Sequence, residues 1–149
     1  ATNGKEKSNS MSTTIRPALS YKNKYWIEKH RYYELKHFCL QYPGWKRDYM
    51  ALDGLKKQPH DLSLLVRTNV ISDPTARCAE AKLFYSERME LVERVAYETD
   101  RDLHSYILKA VTEGLSFETL KTQTDIPCCR DVYYDLYRRF FWLLNRARG

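Results

Sequence analysis

The chain of 149 residues is long enough for one domain or two small ones, and its 43% hydrophobic residues can supply a real core. It contains only 5 Gly and 5 Pro, too few for a β-rich protein with many turns, so we expect an all-α fold. The net charge of +6 and the pI of about 9.1 are compatible with a nucleic-acid partner but do not require one.

Charge is unevenly distributed along the chain. Residues 1–58 carry 12 Lys and Arg against 5 Asp and Glu, residues 59–115 carry 7 against 10, and residues 116–149 carry 6 against 4. The pattern suggests two basic surfaces that can bind polyanions, with a structural region between them in the sequence. The N-terminus has no apolar signal-peptide core, no run approaches the roughly 18 apolar residues of a membrane span, and the four Cys include no CxxC pair. We therefore expect a cytoplasmic protein with reduced thiols and no membrane partner.

Composition and periodicity divide the chain into three parts. Residues 1–20 are rich in Ser, Thr, Asn and Lys, and we expect a flexible N-terminal arm there. Residues 21–58 are predicted to form a helical hairpin, and residues 59–149 a helical domain. That domain is predicted to end in a helix-turn-helix at about residues 102–148. The expected architecture is therefore a helical bundle with a C-terminal helix-turn-helix.

Within the hairpin, apolar residues at helical spacing predict a first helix over residues 23–42, with Asn23 as its N-cap. Pro43-Gly44 is predicted to end this helix, and a shorter one to follow over about residues 45–52. The next segment, residues 55–72, contains LSLLVR, which fits either a helical turn or an extended piece.

The clearest long helix is predicted over residues 73–98, capped by Ser72 or Asp73. Its wide apolar face suits a helical bundle. The next helix is predicted to begin at Thr99 or Asp100 and to end at Gly114 in the left-handed conformation. The apolar face of the long helix consists of Cys78, Ala81, Tyr85, Met89, Val92 and Ala96, widened by Phe84, Leu91 and Val95.

The last third of the chain predicts a short helix, a tight turn and a long helix. Ser116 is expected to cap the short helix, Thr124-Asp125 to make the turn, and Ile126 to fill the space between the helices. Pro127 is then expected near the start of the long helix. This order suits a helix-turn-helix, whose second helix enters the DNA major groove. A plain helical bundle with a solvated charged face remains the alternative.

The DNA-contacting residues follow from the faces of the long helix. If Val132 is the centre of the buried face, then Leu136, Phe140 and Leu143 lie beside it. The opposite face, in the N-terminal half of the helix, is the part that contacts bases in this motif. The residues predicted to contact bases or phosphates are Arg130, Tyr134 and Arg138, and those predicted to hold backbone phosphates are Lys121 and Arg139.

Phe141 and Trp142 are predicted to lie roughly opposite the core, as a possible interaction surface. They are expected to pack either on the N-terminal hairpin or on a second copy of the chain, and packing within the chain is favoured. A homodimer remains attractive because paired recognition helices contact paired half-sites.

No catalytic, cofactor or metal site is predicted. His30, Glu34 and His37 share a helical face, but zinc sites usually need three or four protein ligands and no fourth partner is evident. We interpret them as a polar surface strip. Neither a nucleophile elbow nor a phosphate loop occurs, so the protein is not predicted to be an enzyme.

Two further clusters have competing interpretations. Cys128-Cys129 is expected to fill space at a helix start. The alternative is a cysteine with a lowered pKa whose oxidation loosens DNA contact. Aromatic residues alternate with Lys and Arg between Tyr25 and Arg47. We expect them to serve core and partner packing, with stacking of single-stranded bases as the alternative.

The run DIPCCRDVYYDLYRRFFWLLNRAR resembles the C-terminal segment of RinA/ArpU-type phage transcriptional regulators. Ile126-Pro127 and the Arg and Tyr residues after it carry the resemblance, while Cys128-Cys129 departs from it where a small polar cap is expected. The resemblance implies a helix-turn-helix similar to sigma factor region 4. It also implies a late-gene activator or sigma-like factor, with double-stranded DNA and RNA polymerase as partners in a bacterial host cell. From KYWIEKHRYYELKHFCLQYPGWK onward, the chain is also similar to small proteins of Firmicutes phages and prophages.

Two other functions remain open at this point. A small phage inhibitor of a host nucleic-acid enzyme, similar to an anti-CRISPR, acts through protein–protein contacts, although the high pI argues against DNA mimicry. A small terminase subunit also carries a helix-turn-helix, but it assembles into a ring of many copies.

Overall fold

The computed structural model describes residues 22–57 and 74–149, which are mostly helical and contain no strand. The predicted all-α class is therefore confirmed. The predicted arm at residues 1–20 and the LSLLVR segment lie outside the described residues. The helices are α1 (Lys29–Leu40), α2 (Tyr42–Lys57), α3 (Pro74–Thr99), α4 (His104–Glu113), α5 (Phe117–Thr124) and α6 (Arg130–Arg148).

The start of α1 is set by Glu28 rather than by the predicted cap, Asn23. The Glu28 carboxylate accepts hydrogen bonds from the backbone N–H groups of His30 at 2.8 Å and Arg31 at 3.0 Å. These bonds favour the charged form and lower the pKa of Glu28. Asn23 instead accepts a hydrogen bond from the Tyr25 N–H at 2.9 Å, which closes a turn before the helix. The prediction of Asn23 as the helix cap was wrong because its side chain stabilises this turn.

The boundary between α1 and α2 also differs from the prediction. Only Gln41 separates the two helices, and Pro43-Gly44 lies in the first turn of α2 rather than between helices. Proline is tolerated there because the first N–H groups of a helix have no intrahelical partner. The second helix is accordingly longer than predicted and reaches Lys57.

Helix α3 packs along α2 and then enters the core. Near the far end of α2, the Lys82 ammonium contacts the Asp53 carboxylate, while the C-terminal part of α3 is buried at Val92, Val95 and Ala96. The predicted apolar face is confirmed in this C-terminal part. Phe84, however, is 45% exposed and lies under the Arg88 guanidinium, 3.3 Å from the ring centroid. Its assignment to the buried face was wrong.

A turn precedes α4, so this helix begins later in the sequence than predicted. The Asp100 carboxylate accepts hydrogen bonds from the N–H groups of Asp102 at 2.9 Å and Leu103 at 2.8 Å, so the helix begins at His104 rather than at Thr99 or Asp100. Gly114 ends α4 with φ +67°, which confirms the predicted left-handed C-cap.

An aromatic interface between α1 and α6 forms the centre of the core. The hydroxyl oxygens of Tyr32 and Tyr137 are joined by a 2.9 Å hydrogen bond, and both rings are buried. The Phe141 ring packs edge-on against Tyr32 with 5.1 Å between ring centroids. Burial raises the pKa of Tyr32 to about 12 and raises the pKa values of Tyr133 and Tyr137 well above their usual range.

Replacing Tyr32 with Phe removes one half of the hydroxyl pair and leaves the Tyr137 hydroxyl buried without this partner. We expect the free energy of unfolding to fall by about 1–3 kcal/mol. The Tyr32→Phe/Tyr137→Phe double variant should cost less than the sum of the two single variants, because no orphaned hydroxyl remains. Urea unfolding measures all three, with exposed Tyr97→Phe as the control. Strict additivity would contradict the pairing.

The buried tyrosines also predict loss of stability in alkali. Below pH 10 Tyr32 is protonated in both folded and unfolded chains, so its contribution is complete. As the pH rises from 10 towards about 12, the unfolded chain releases the proton first, and the free energy of unfolding falls. Urea unfolding across this range should show a shallower decline for Tyr32→Phe than for wild type, and the wild-type decline for Tyr97→Phe. Equal declines in all three proteins would contradict the raised pKa of Tyr32 in the folded protein.

Candidate nucleic-acid interface

The predicted order of short helix, turn and long helix is present at the C-terminus. The Ser116 hydroxyl oxygen accepts a hydrogen bond from the Thr119 N–H at 3.2 Å, so the predicted cap of α5 is confirmed. Ile126 is fully buried together with Leu120 of α5, as expected of a residue that fills the space between the helices. The turn between α5 and α6 contains Asp125 at φ 52°. This left-handed position reverses the chain direction.

Helix α6 begins at Arg130, three residues after Pro127, with Cys129 as N-cap. Cys129 makes no capping hydrogen bond through its side chain. Cys128 is half-buried, and burial raises the pKa of its thiol. This direction is opposite to the lowered pKa that the oxidation hypothesis needs at Cys128.

The buried face of α6 matches the predicted one only in part, because Phe140 is buried as predicted but the centre of the face lies elsewhere. Val132, which was placed at its centre, is 46% exposed. The face has rotated by roughly 100°, or about one residue, relative to the prediction. Large aromatic rings each bury about 150–250 Å². Burying the aromatic side of α6 therefore removes more apolar surface from water than burying its aliphatic side. The residues of α6 that are buried are Tyr133, Tyr134, Tyr137, Phe140, Phe141 and Leu144.

This rotation places Tyr134, which was predicted to contact DNA, on the buried side of α6. Only 5% of its surface is exposed, and its ring packs against Tyr133 with 4.9 Å between centroids. Its hydroxyl oxygen accepts a 3.4 Å hydrogen bond from the Phe117 N–H at the start of α5. Tyr134 therefore joins α5 to α6, and the prediction that it contacts DNA was wrong.

The same rotation places Phe141 and Trp142 against the N-terminal part of the chain. Phe141 is fully buried on Tyr32, so its prediction as an exposed interaction residue was wrong. Trp142 is half-buried and lies 5.7 Å from Tyr25, measured between ring centroids. Packing within the chain, the favoured interpretation of these two residues, is confirmed.

The predicted basic residues lie near one another but differ in their partners. Arg130 forms a 3.1 Å ion pair with Glu118, and Lys121 forms one of 3.1 Å with Asp125. Lys121 also donates a 2.9 Å hydrogen bond to the Ile126 carbonyl, so it closes the turn. Within the two described ranges, neither Arg138 nor Arg139 forms an ion pair. Arg139 is exposed and Arg138 half-buried.

Sequence reasoning placed Asp131 on the outer face of α6 but missed Val132 and Asp135. All three are exposed in the N-terminal half of the helix, beside Arg138 and Arg139. Helical periodicity would have found Val132 and Asp135 had the buried face been centred on Tyr137. The outer face is therefore mixed in charge. Carboxylates repel phosphates, but they accept hydrogen bonds from the amino group of cytosine.

The structure assembles no metal site from the predicted polar strip. His30, Glu34 and His37 are exposed, and the Glu34 carboxylate is held by Arg31 at 3.1 Å and Arg148 at 3.4 Å. In residues 22–57 and 74–149, no group of three His, Cys, Asp or Glu side chains has the arrangement of a metal site. None of the helices in these ranges is both long and apolar enough to span a membrane.

No family model, curated protein or solved structure matches the chain. The resemblance of residues 125–148 to phage regulators therefore stays a prediction.

The rotation of α6 is directly testable at two neighbouring positions. Val132→Lys changes an exposed residue, and we expect the free energy of unfolding to stay within about 0.5 kcal/mol of wild type. Tyr134→Ala opens a cavity between α5 and α6 and should cost about 3–5 kcal/mol. Chemical denaturation gives both values. A large loss at Val132 together with a small one at Tyr134 would restore the originally predicted face.

Proposed function

We propose that the protein binds double-stranded DNA through α5, the turn and α6, with the outer face of the N-terminal half of α6 in the major groove. One observation carries this proposal. The short α5 and its turn are fixed behind α6 by the buried Leu120 and Ile126, while the outer face of α6 stays open. A helix held from behind by a shorter helix is the arrangement that helix-turn-helix proteins insert into DNA.

Arg138 and Arg139 are the first candidates for DNA contact. With no ion pair in the described part of the chain, they are available to phosphates or to the O6 and N7 acceptors of guanine. A guanidinium matches either acceptor pair with two parallel N–H groups.

Arg130 and Lys121 are second candidates because each must exchange an internal partner. Their carboxylate partners, Glu118 and Asp125, are more than half exposed. Exposed pairs of this kind contribute about 0.2–1 kcal/mol, so a phosphate can replace the carboxylate at small cost.

Asp131 and Asp135 favour sequence-dependent over non-specific binding. They lie on the same outer face as Val132 and Arg139. Near phosphates they weaken binding to any duplex, whereas opposite a cytosine amino group each accepts a hydrogen bond. The face therefore gains affinity mainly where its Asp and Arg residues meet the matching base edges.

A role in transcription follows from the resemblance to phage regulators. In that role the protein acts as a late-gene activator or sigma-like factor at promoters. RNA polymerase is the protein partner, and a homodimer offers two recognition helices to paired half-sites.

The proposal is tested by selecting binding sites for the wild type from duplexes with a randomised core. The recovered sequence is then used in fluorescence anisotropy with Arg138→Ala/Arg139→Ala. Loss of two arginine contacts worth about 1–3 kcal/mol each should weaken binding by at least about tenfold.

The matched control is Arg101→Ala/Lys109→Ala, which also removes two positive charges. Arg101 lies in the turn before α4, and Lys109 lies in α4. Lys109 pairs there with Glu113 at 2.8 Å, and the Arg101 guanidinium lies 5.9 Å from the Tyr97 ring centroid. This control should bind as the wild type does. Recovery of no preferred sequence, together with equal binding by both double variants, would contradict the proposal and direct attention to a protein target.

A further inference from the structure

Cations and aromatic rings alternate along one edge of the molecule where the N-terminal turn meets the C-terminal half of α6. We call Lys24, Tyr25, Trp142 and Arg146 the cation–aromatic row. The Lys24 ammonium lies 4.9 Å from the Tyr25 ring centroid, and the Arg146 guanidinium lies 4.7 Å from that of Trp142. The two ring centroids are 5.7 Å apart. The row therefore begins and ends with a cation.

Local structure holds both halves of the row in place. The turn closed by the Asn23 side chain orients Tyr25, and Ile27, two residues later, is buried in the core. Trp142 and Arg146 are four residues apart on α6, so their side chains are neighbours on one face. Contact between the two rings then brings the two halves together.

Among the described residues, the cations of the row have no carboxylate as an ion-pair partner. In the described ranges, neither Lys24 nor Arg146 forms an ion pair. The carboxylates of α1 and the residue before it are already engaged, Glu28 by two backbone N–H groups and Glu34 by two arginines. The positive charge is thus directed at solvent, where a polyanion can reach it.

The chemistry of the row favours phosphate over an unstacked base. Trp142 is half-buried and already contacts the Tyr25 ring and the Arg146 guanidinium, which leaves little ring surface for a base. A guanidinium stacked on a ring keeps its in-plane N–H groups free for two parallel hydrogen bonds to phosphate oxygens. Stacking also limits the side-chain entropy that binding must remove.

The position of the row connects it to the proposed DNA-binding face. Arg146 follows Arg139 by seven residues, or almost two helical turns. The two therefore lie on the same side of α6, about 10 Å apart along its axis. We propose that the cation–aromatic row binds the phosphate backbone of the same DNA duplex, outside the groove that the N-terminal half of α6 enters. This inference rests on the proposed DNA-binding function and adds a second contact region to it.

The test uses Lys24→Ala/Arg146→Ala with the selected duplex and with an unrelated duplex of equal length. Each phosphate contact contributes about 0.9 to the slope of log K against log salt, so the slope should become shallower by about 2. Between about 50 and 200 mM salt, wild type should lose roughly tenfold more affinity than the variant. Both duplexes should show the same loss, since phosphates carry no sequence information.

Two single variants separate stacking from charge. Arg146→Lys keeps the charge but removes the planar guanidinium beside the Trp142 ring, and it should retain the wild-type salt slope while weakening binding. Trp142→Leu removes the ring beneath Arg146, and it should weaken binding while urea unfolding reports any loss of stability. The Arg101→Ala/Lys109→Ala control should leave both slope and affinity unchanged.

The outcomes distinguish this inference from the function on which it rests. If Lys24→Ala/Arg146→Ala keeps the wild-type salt slope, the cation–aromatic row does not bind phosphates. The proposed DNA binding still stands in that case if Arg138→Ala/Arg139→Ala loses affinity. A loss confined to the selected duplex overturns phosphate contact in favour of base contact. Tighter binding to a single-stranded oligonucleotide of the same length overturns the duplex as partner. Absence of wild-type duplex binding overturns both proposals.

Discussion

The aromatic interface between α1 and α6 determines which side of the last helix faces solvent. Tyr32 lies between Tyr137, which shares a hydrogen bond with it, and Phe141, which packs edge-on against it. A helix has one rotation that buries a given stripe, so fixing Tyr137 and Phe141 inward also fixes the opposite side outward. The outer face of α6, including Arg139, is therefore a consequence of core packing.

The same interface links the N-terminal turn to the C-terminal helix. Trp142 follows Phe141 directly, so the inward position of Phe141 places Trp142 at the edge, beside Tyr25. Residues from the two ends of the sequence thus meet at one edge of the molecule. Lys24 from the basic N-terminal part and Arg146 from the basic C-terminal part therefore lie beside the same pair of rings.

Some local signals were read correctly from the sequence, whereas the Asn23 cap and the rotation of α6 were not. Ser116 and Gly114 act within one helical turn of their own positions, so capping rules identified them correctly. The choice between Val132 and Tyr137 as the centre of the buried face depends on α1, more than ninety residues earlier in the chain. Both sides of α6 contain enough large apolar residues to form a stripe, and periodicity cannot decide between them without the partner helix.

In the proposed DNA-binding mode, the internal ion pairs of α5 and α6 compete with DNA phosphates for Arg130 and Lys121. Glu118 holds Arg130 and Asp125 holds Lys121, so each cation already has a carboxylate when no DNA is present. A random duplex offers phosphates that must displace these carboxylates, and the gain over the existing pair is small. A matching duplex adds base-edge contacts to the same exchange, and only then does the total favour binding strongly. In the proposed DNA-binding mode the cost of this exchange is the same for both duplexes, so the base-edge contacts account for the difference in affinity between them.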